Sequence, residues 1–371
     1  MELLNATRIQ AGYTMGMQPD GRELLVVVAK GTFTIPVRRG EPQLAEQQKP
    51  LIEADTFTGE PGFSAPAYEV DYSPVKRHCD VLLVGSAYAP GGRPCTRVQV
   101  SLRVGPVFKS FAVLGDRFWE SGNIAIRPGY PARFEVMPIT YDRAFGGTDN
   151  FHANEKKHSA YMPNPVGRGY HRQLGRELVD GTPMPNTEEL KRPVTMPNGI
   201  CQPMAFGPLG RGWEPRLKFA GTYDQAWLDD TFPFLPSDFD DAYYQAAPAD
   251  QQMPFPEGGE TVFLENLTPE GQTTFQLPQM DIPVVFFYKK GGREERNAVL
   301  DTIVLEPDEG VFTLTWRTTI PLKRNIFEIP QVLVGRKSRG WWRARELGKA
   351  YYPSLAELAR ERRLEAEEEA D

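Results

Sequence analysis

Proline and glycine limit the possible folds of this chain more than any other feature, because they interrupt regular structure along its whole length. Each of them occurs 34 times in 371 residues, which is above the usual background. Proline removes a backbone donor and glycine favours turn conformations, so both residues end helices and shape loops. This composition favours many short strands joined by shaped loops.

The first region, residues 1–140, is predicted to be made of strands. From Val98 to Val104 every second residue is apolar and the residues between are polar. This period of two places one face of a strand on a core and the other in water. Gly105 and Pro106 end the strand, and 107–114 can return as its partner. Further strands are predicted at 24–29, 32–35, 80–88 and 133–139.

Residues 260–322 return to strand patterns separated by readable turns, and they predict a β meander. Its strands are expected at 261–267, 272–277, 284–290, 294–305 and 311–317. In the last region, residues 323–371, Ser354 and Glu357 have the spacing of a capping box and predict a short helix before an acidic tail. The expected fold is therefore mainly β, with antiparallel sheets in a β-sandwich-like or two-lobed architecture and a short C-terminal helix.

The middle region, residues 141–259, has a different character. It contains 14 prolines between Pro163 and Pro256, together with many aromatic residues. A long unstructured loop is one interpretation. Disordered segments are poor in aromatic residues, so an ordered but irregular layer packed on the sheets is the favoured one. A short helix is expected near 224–229.

Metal and cofactor patterns are lacking, so neither a metal nor a cofactor is expected. The four histidines have no helical zinc spacing, and no Cys-x-x-Cys occurs. The acidic cluster at 238–241 fails as an EF-hand loop, because Tyr243 stands at the glycine position and Ala249 at the final ligand position. Asp240 or Asp241 can instead cap a following helical turn.

The sequence motifs of catalytic nucleophiles and of phosphate-binding loops are also absent. The sequence has no Gly-x-Ser-x-Gly elbow and no Walker loop. Glycoside cleavage by a pair of carboxylates stays an open hypothesis, because the distance between two carboxylates cannot be read from the sequence.

The net charge and the apolar runs constrain partners and compartment. A formal charge of −7 gives no support to nucleic-acid binding. No apolar run approaches the roughly 18 residues of a spanning helix, so membrane insertion is not expected. Three cysteines form an odd, sparse set that fits a reducing compartment, and the first residues lack signal-peptide features. A cytoplasmic location is expected.

A basic stretch at 336–349 surrounds Trp341 and Trp342. Such a mixture can bind nucleic acid or a membrane surface, or it can be a partner-facing patch. It can equally be a strand-to-helix segment with buried tryptophans and solvated charges. These alternatives stay open at this point.

Several central segments, taken in order, carry a family resemblance. They read Tyr-Asp-Arg-Ala-Phe-Gly-Gly at 141–147, Asn-Pro-Val-Gly-Arg-Gly at 164–169, Trp-Glu-Pro-Arg at 213–216, Ala-Gly-Thr-Tyr-Asp-Gln-Ala-Trp at 220–227, Leu-Pro-Ser-Asp-Phe-Asp at 235–240, Ala-Pro-Ala-Asp-Gln-Gln at 247–252 and Gly-Gly-Glu at 258–260. Over residues 1–322 the chain resembles the type VI secretion accessory family that carries the domain of unknown function 2169.

The resemblance implies an adaptor-chaperone that binds a toxic effector and helps to load it onto the VgrG spike or its PAAR tip. Such proteins are not known as enzymes, and the family has no agreed catalytic residues, so none is carried over. Prolines and glycines that fix loop shape, with aromatic rings between them, suit a partner-binding surface. The residues expected to bind the partner are Trp213, Arg216, Tyr223, Trp227 and Phe239. The residues expected to organise loops are Arg143, Asp224 and Asp240.

Two other functions stay open. One is a carbohydrate- or lipid-active enzyme that uses aspartates of the central region, such as Asp224 and Asp240. The other is a structural component of the secretion machine. Rings buried in the interior beside a polar cleft of converging acids would favour catalysis over docking.

Overall fold

The computed structural model describes residues 1–37, 40–122 and 125–352, and the single positions 354, 356, 359, 360 and 363. Glu357 of the predicted capping box and the predicted acidic tail at 365–371 lie outside the described residues.

Short strands dominate the first 140 residues. They are β1 (Glu2–Asn5), β2 (Gln10–Met17), β3 (Glu23–Thr34), β4 (Thr56–Phe57), β5 (Pro66–Tyr68), β6 (Cys79–Leu83), β7 (Gly85–Tyr88), β8 (Arg97–Val104), β9 (Val107–Leu114), β10 (Trp119–Ser121), β11 (Ile126–Pro128) and β12 (Val136–Ile139).

The middle region holds very short strands and short helices. They are β13 (Phe145–Gly146), β14 (Thr148–Asp149), β15 (Ser159–Ala160), β16 (Arg168–Gly169), α1 (Arg176–Val179), β17 (Thr187–Glu188), α2 (Glu214–Leu217), α3 (Gln225–Asp230) and β18 (Gln252–Met253). The last part adds β19 (Thr261–Glu265), β20 (Gln272–Gln276), β21 (Pro283–Phe287), β22 (Arg293–Asn297), β23 (Val299–Glu306), β24 (Val311–Pro321), β25 (Gln331–Val334) and α4 (Arg339–Glu346).

Three larger sheets organise these strands. The six-stranded sheet has the order β18-β6-β23-β24-β3-β2 and is antiparallel except at the β6–β23 pair. The five-stranded sheet has the order β17-β9-β8-β19-β20 and is antiparallel throughout. The four-stranded sheet has the order β1-β25-β21-β22, with β1 and β25 parallel.

The main core lies between the six-stranded and five-stranded sheets. The rings of Phe275 on β20 and Phe312 on β24 stack across it with centroids 5.2 Å apart. Alternate residues of both sheets, together with residues of β21 and β25, form one buried apolar cluster. The predicted mainly β, β-sandwich-like fold is therefore confirmed.

Local patterns located the strands well. On β8 the four residues Val98, Val100, Leu102 and Val104 are buried, as the alternation predicts. The predicted strands 24–29 and 32–35 merge into the single strand β3, which ends at Thr34, because both of its faces are covered and nothing interrupts its ladder. The stretch at 80–88 divides into β6 and β7. The helix expected near 224–229 is α3.

The meander expected at 260–322 does not form as one unit. Its hairpins β19–β20, β21–β22 and β23–β24 join three different sheets. Each hairpin completes a sheet begun elsewhere: β19 pairs with β8, β21 with β25, and β24 with β3. Local turn signals give the hairpins but not the distant strands with which they pair.

The second face of the six-stranded sheet carries buried charges. Lys30 on β3, Asp80 on β6, Glu306 on β23 and Arg317 on β24 are all buried, and Asp301 is buried beside Arg317. Residues 48–76 cover this face and supply Lys49, Asp71 and Lys76 as partners. We call these eight residues the buried ionic layer.

Every charge of the buried ionic layer has an opposite charge in contact. The ion pairs are Lys30–Asp71 at 2.9 Å, Lys49–Glu306 at 2.6 Å, Lys76–Asp80 at 2.6 Å and Arg317–Asp301 at 2.5 Å. The Arg317 guanidinium also donates to the carbonyls of Asp71 and Ser73. Removal of one partner from such a pair leaves an uncompensated buried charge.

The basic stretch around Trp341 and Trp342 lies in and around α4. Both tryptophans are half-buried and pack on Phe287 at the outer face of the four-stranded sheet, while Arg343 is exposed. Arg345 lies over the Phe287 ring, 3.7 Å from its centroid. None of the helices in the described part of the chain is long and apolar enough to cross a membrane.

We predict that Arg317→Met lowers the free energy of unfolding by about 3–5 kcal/mol, because Asp301 then lacks its buried partner. Urea denaturation measures this change. The double variant Arg317→Met/Asp301→Leu should recover part of the loss, because no unpaired charge is left. Arg22→Met removes the exposed ion pair with Asp20 and should leave the urea midpoint of unfolding unchanged. If Arg317→Met and Arg22→Met lowered the free energy of unfolding equally, the buried Arg317–Asp301 pair would not have the stabilising role given to it here.

Candidate functional site

Part of the central region forms a single segment that extends from the body of the protein. Residues 217–239 leave the body after α2 and return before the 3-10 turn Asp241–Tyr244. We call this segment the aromatic arm. Its two ends are joined where the Asp240 N–H donates to the Phe219 carbonyl over 3.0 Å.

Trp213 forms the apolar part of the base of the arm. Its ring is buried and lies edge-to-face on Tyr141, with centroids 5.3 Å apart. A Cβ at Gly210 would lie 2.4 Å from the Trp213 Nε1, so only glycine fits beneath this indole. Trp213 therefore holds the arm to the body and presents almost no surface to a partner.

Arg216 forms the polar part of the base. Its guanidinium is buried and donates to both carboxylate oxygens of Glu69 at 2.9 and 2.8 Å. It also donates to the Leu209 carbonyl and the Tyr243 carbonyl, each at 2.8 Å. A bidentate arginine fixes both distance and angle, so this side chain sets how the arm leaves the body.

A second arginine extends this network. Arg211 lies 2.6 Å from Glu69 and 2.7 Å from Asp55. Burial alone would raise the pKa of Asp55, but hydrogen bonds from Arg211 and from the Val70 N–H outweigh it and hold the pKa below its ordinary value. The base therefore contains two arginines and two carboxylates, all with partners.

Short polar contacts hold the arm in one shape. Thr222 donates to Asp238 through its N–H at 2.9 Å and through its hydroxyl at 2.6 Å. Those two hydrogen bonds lower the pKa of Asp238. Asp224 caps α3 by accepting the Trp227 N–H at 2.9 Å. The Trp227 indole donates to the Phe234 carbonyl at 2.9 Å.

Exposed apolar side chains cover much of the arm, beside exposed polar side chains such as Asp224 and Asp238. Tyr223 and Trp227 lie edge-to-face at 4.8 Å, and Trp227 meets Phe232 at 5.6 Å. The exposed large apolar residues of the arm are Leu217, Tyr223, Leu228, Phe232 and Phe234. Several exposed apolar side chains on one ordered segment are typical of an interaction site.

The tip of the arm rests on the turn between β2 and β3. A Cβ at Gly21 would lie 2.5 Å from the Phe234 Cε1. Gly21 also has a φ of +83°, which other residues rarely adopt. The arm is therefore supported at both its base and its tip.

A cleft of about 520 Å³ opens beside the base of the arm. Its walls combine proline and ring surfaces with charges at the rim, and include Arg192, Pro203, Phe219 and Pro248. At its floor Lys109 is buried, which lowers the pKa of its amine. The amine donates to Gln251 at 2.8 Å and pairs with Asp250 at 3.2 Å.

A second cavity, of about 320 Å³, lies between the six-stranded sheet and residues 49–71. Its acids are Glu69, Asp71 and Glu306, and each contacts a lysine or arginine within 3 Å. Tyr68 donates to Glu306 at 2.5 Å. No carboxylate of this wall is left without a cation, so the wall offers no ready acid–base pair.

The structure brings most of the predicted partner-binding residues into one place but at different depths. Tyr223 is exposed, Trp227 and Phe239 are half-buried, and Trp213 and Arg216 are buried at the base. Burial assigns Trp213 and Arg216 to holding the arm rather than to touching a partner. Phe239 packs on Tyr243 and Tyr244 at the return of the arm.

The predicted loop-organising residues form capping and bridging contacts. Asp240 accepts the Ala242 N–H at 2.7 Å and pairs with Arg77 at 2.8 Å. Asp224 caps α3, as described above. Arg143 is not part of the arm, and instead donates to Asn186 at 3.2 Å and lies 3.5 Å from Asp116.

Sequence reasoning missed several residues of the site. Glu69 lies 147 positions from Arg216, and no local pattern links them. The sequence groups Asp238 with the acidic cluster at 238–241, although an aspartate that closes a turn is a readable signal. Phe232 and Phe234 belong to the aromatic residues of the central region, but the sequence does not show which of these rings face water.

No group of three or more His, Cys, Asp or Glu residues within the described ranges is arranged to hold a metal ion. Asp224 and Asp240, which the enzymatic alternative would use, act as helix caps in this structure.

A family model described as "Uncharacterized protein conserved in bacteria (DUF2169)" matches residues 20–317. The match includes the aromatic arm and its base. Among the curated proteins and among the solved structures, nothing matches the chain significantly.

We predict that Arg216→Lys destabilises the protein by about 2 kcal/mol, although the charge is kept, because lysine cannot replace the guanidinium fork. Urea denaturation measures the loss, and hydrogen exchange should accelerate within residues 217–239. Arg127→Lys, at the exposed pair with Glu120, is the matched control and should change neither the stability nor the exchange in the arm. Unaltered exchange in the arm of the Arg216 variant would refute the role of this residue.

Proposed function

The chain belongs to the uncharacterized bacterial family DUF2169, and from this premise we propose that it is an adaptor that holds a partner protein on the aromatic arm. The observation that carries the proposal is the ordered display of exposed rings on a segment fixed at base and tip.

The energetics of association support this assignment. Aromatic side chains supply large contact area with few rotatable bonds, and they dominate binding hot spots. Association is weakened when flexible loops must be ordered. The arm avoids much of that loss, because its hydrogen bonds, the Arg216–Glu69 contact and the Phe234–Gly21 contact order it in the unbound protein.

The cleft beside the base of the aromatic arm adds a pocket to the proposed binding surface. Phe219 lines the cleft and also belongs to the arm, so the cleft and the arm share this residue. Lys218 and Arg192 at the rim add positive charge, and Glu189 adds one negative charge. An apolar anchor surrounded by charges at a rim is the usual anatomy of a protein–protein interface.

The motifs that resemble type VI secretion accessory proteins support a finer proposal. Three of the motifs, at 213–216, 220–227 and 235–240, form the base, the first half and the return of the arm. We therefore propose that the partner is a type VI secretion effector, loaded by this protein onto a VgrG or PAAR spike protein.

A cytoplasmic location is part of the same proposal. Cys79, Cys95 and Cys201 are all free thiols in the structure, as expected in a reducing compartment. Loading before secretion requires the adaptor and the effector to meet in the producing cell.

We predict that the tagged protein captures the effector or spike protein encoded next to its gene, and that Tyr223→Ala/Phe232→Ala weakens this capture at least about tenfold. Purified components and isothermal titration measure the affinity. The matched control is Phe63→Ala/Phe327→Ala, which removes two rings that are 79% and 74% exposed outside the arm.

Neither double variant should shift the thermal midpoint, because all four rings are exposed. The proposal fails if the neighbouring effector and spike proteins do not bind the wild-type chain, or if the arm variant and the control bind equally well. Asp224→Asn and Asp240→Asn, assayed on carbohydrate and lipid substrates beside the wild type, test the enzymatic alternative.

A further inference from the structure

The six-stranded sheet ends at β2, and this edge is open. β2 pairs with β3 through eight residue pairs, from Gln10 opposite Lys30 to Met17 opposite Glu23. In an antiparallel edge strand alternate residues direct both their N–H and C=O groups away from the sheet. Among the described residues, none outside β3 makes a hydrogen bond to the backbone of residues 11–16.

The open edge lacks the usual protection against strand pairing. Proteins shield free edges with charged residues, prolines or bulges. β2 reads Gln-Ala-Gly-Tyr-Thr-Met-Gly-Met and has no charge, no proline and no register shift against β3. The contrast is β22, the edge of the four-stranded sheet, where four of the five residues, 293–296, are charged.

The two faces of β2 determine which side chains an added strand would meet. On one face Gly12 and Gly16 lie beneath Tyr72 and Pro74, and a Cβ at Gly12 would lie 2.2 Å from the Tyr72 hydroxyl. On the other face Tyr13 and Met15 are 38% and 39% exposed. On one face, the side chains of an added strand would therefore lie beside Tyr13 and Met15. On the other face, they would lie beside Tyr72 and Pro74.

The edge adjoins the aromatic arm. Gly21, on which Phe234 rests, lies in the turn that follows β2. A strand paired with β2 would thus have one end next to the exposed rings of the arm. The edge and the arm can contact a single partner without any rearrangement of the chain.

We propose that β2 binds an extended segment of the partner protein by strand addition. The segment is uncharged over about six to eight residues and carries apolar side chains at alternate positions, because those positions meet Tyr13 and Met15. A second copy of this chain is less suited to the edge, since each copy carries a net charge of −7. The partner's identity rests on the proposed function, but the binding mode does not.

A peptide experiment tests the edge independently of any effector. The probe is a fluorescein-labelled, end-blocked peptide of about eight residues in which valine and threonine alternate, and fluorescence anisotropy measures its binding. We expect binding to the wild type and a loss of at least about tenfold with Tyr13→Lys/Met15→Lys, because two lysines protect an edge. The same peptide with every backbone nitrogen methylated should not bind.

The matched control places two lysines on the edge strand of the five-stranded sheet, as Gln272→Lys/Gln276→Lys, and should bind like the wild type. The inference is overturned if the wild type does not bind at about 1 mM peptide, if the β2 variant binds equally well, or if the methylated peptide binds. It is also overturned if sedimentation shows a wild-type dimer that the β2 lysines dissociate, because a second copy would then occupy the edge. Failure of effector capture by the arm leaves these results unaffected.

Discussion

The pairing of charges on the second face of the six-stranded sheet is the constraint on which the rest of the structure depends. A sheet face with buried lysine, arginine and carboxylate groups cannot be left half covered, because any unpaired member would be strongly destabilising. Residues 48–76 are therefore held against the sheet by Lys30–Asp71 and Lys76–Asp80. Glu69 lies in this covering segment and binds Arg211 and Arg216, so the same electrostatic requirement that folds the covering segment also fixes the base of the aromatic arm.

This arrangement explains how apolar rings remain exposed on an ordered segment. A short segment with few buried apolar groups has little burial to offset its conformational entropy. The arm instead uses specific polar contacts, among them Thr222–Asp238 and the Asp224 cap. Phe234 adds its contact with Gly21, while Tyr223 and Phe232 remain exposed at the surface of the arm.

Local signals predicted the parts of this fold that depend on near neighbours in sequence. Alternation located β8, turn residues located the hairpins, and the acidic residue before α3 fits the cap that the structure shows. Long-range pairing could not be read in this way. The hairpins expected as a meander joined three sheets, and the Arg216–Glu69 contact spans 147 positions. Composition placed aromatic residues in the central region but could not show that Trp213 supports the arm from within while Phe232 faces water.

Rigid coupling between the arm and the open edge has a consequence for affinity. Two weak contacts on one partner reinforce each other when the second forms at high effective concentration, and a flexible linker between them reduces that gain. Here the Phe234–Gly21 contact joins the tip of the arm to the turn that follows β2, so no linker separates the two surfaces. Backbone hydrogen bonds at β2 would then supply affinity that is tolerant of sequence, and the rings of the arm would supply selection by shape. The proposed adaptor role would benefit from this division, because loss of either contact would weaken the whole complex.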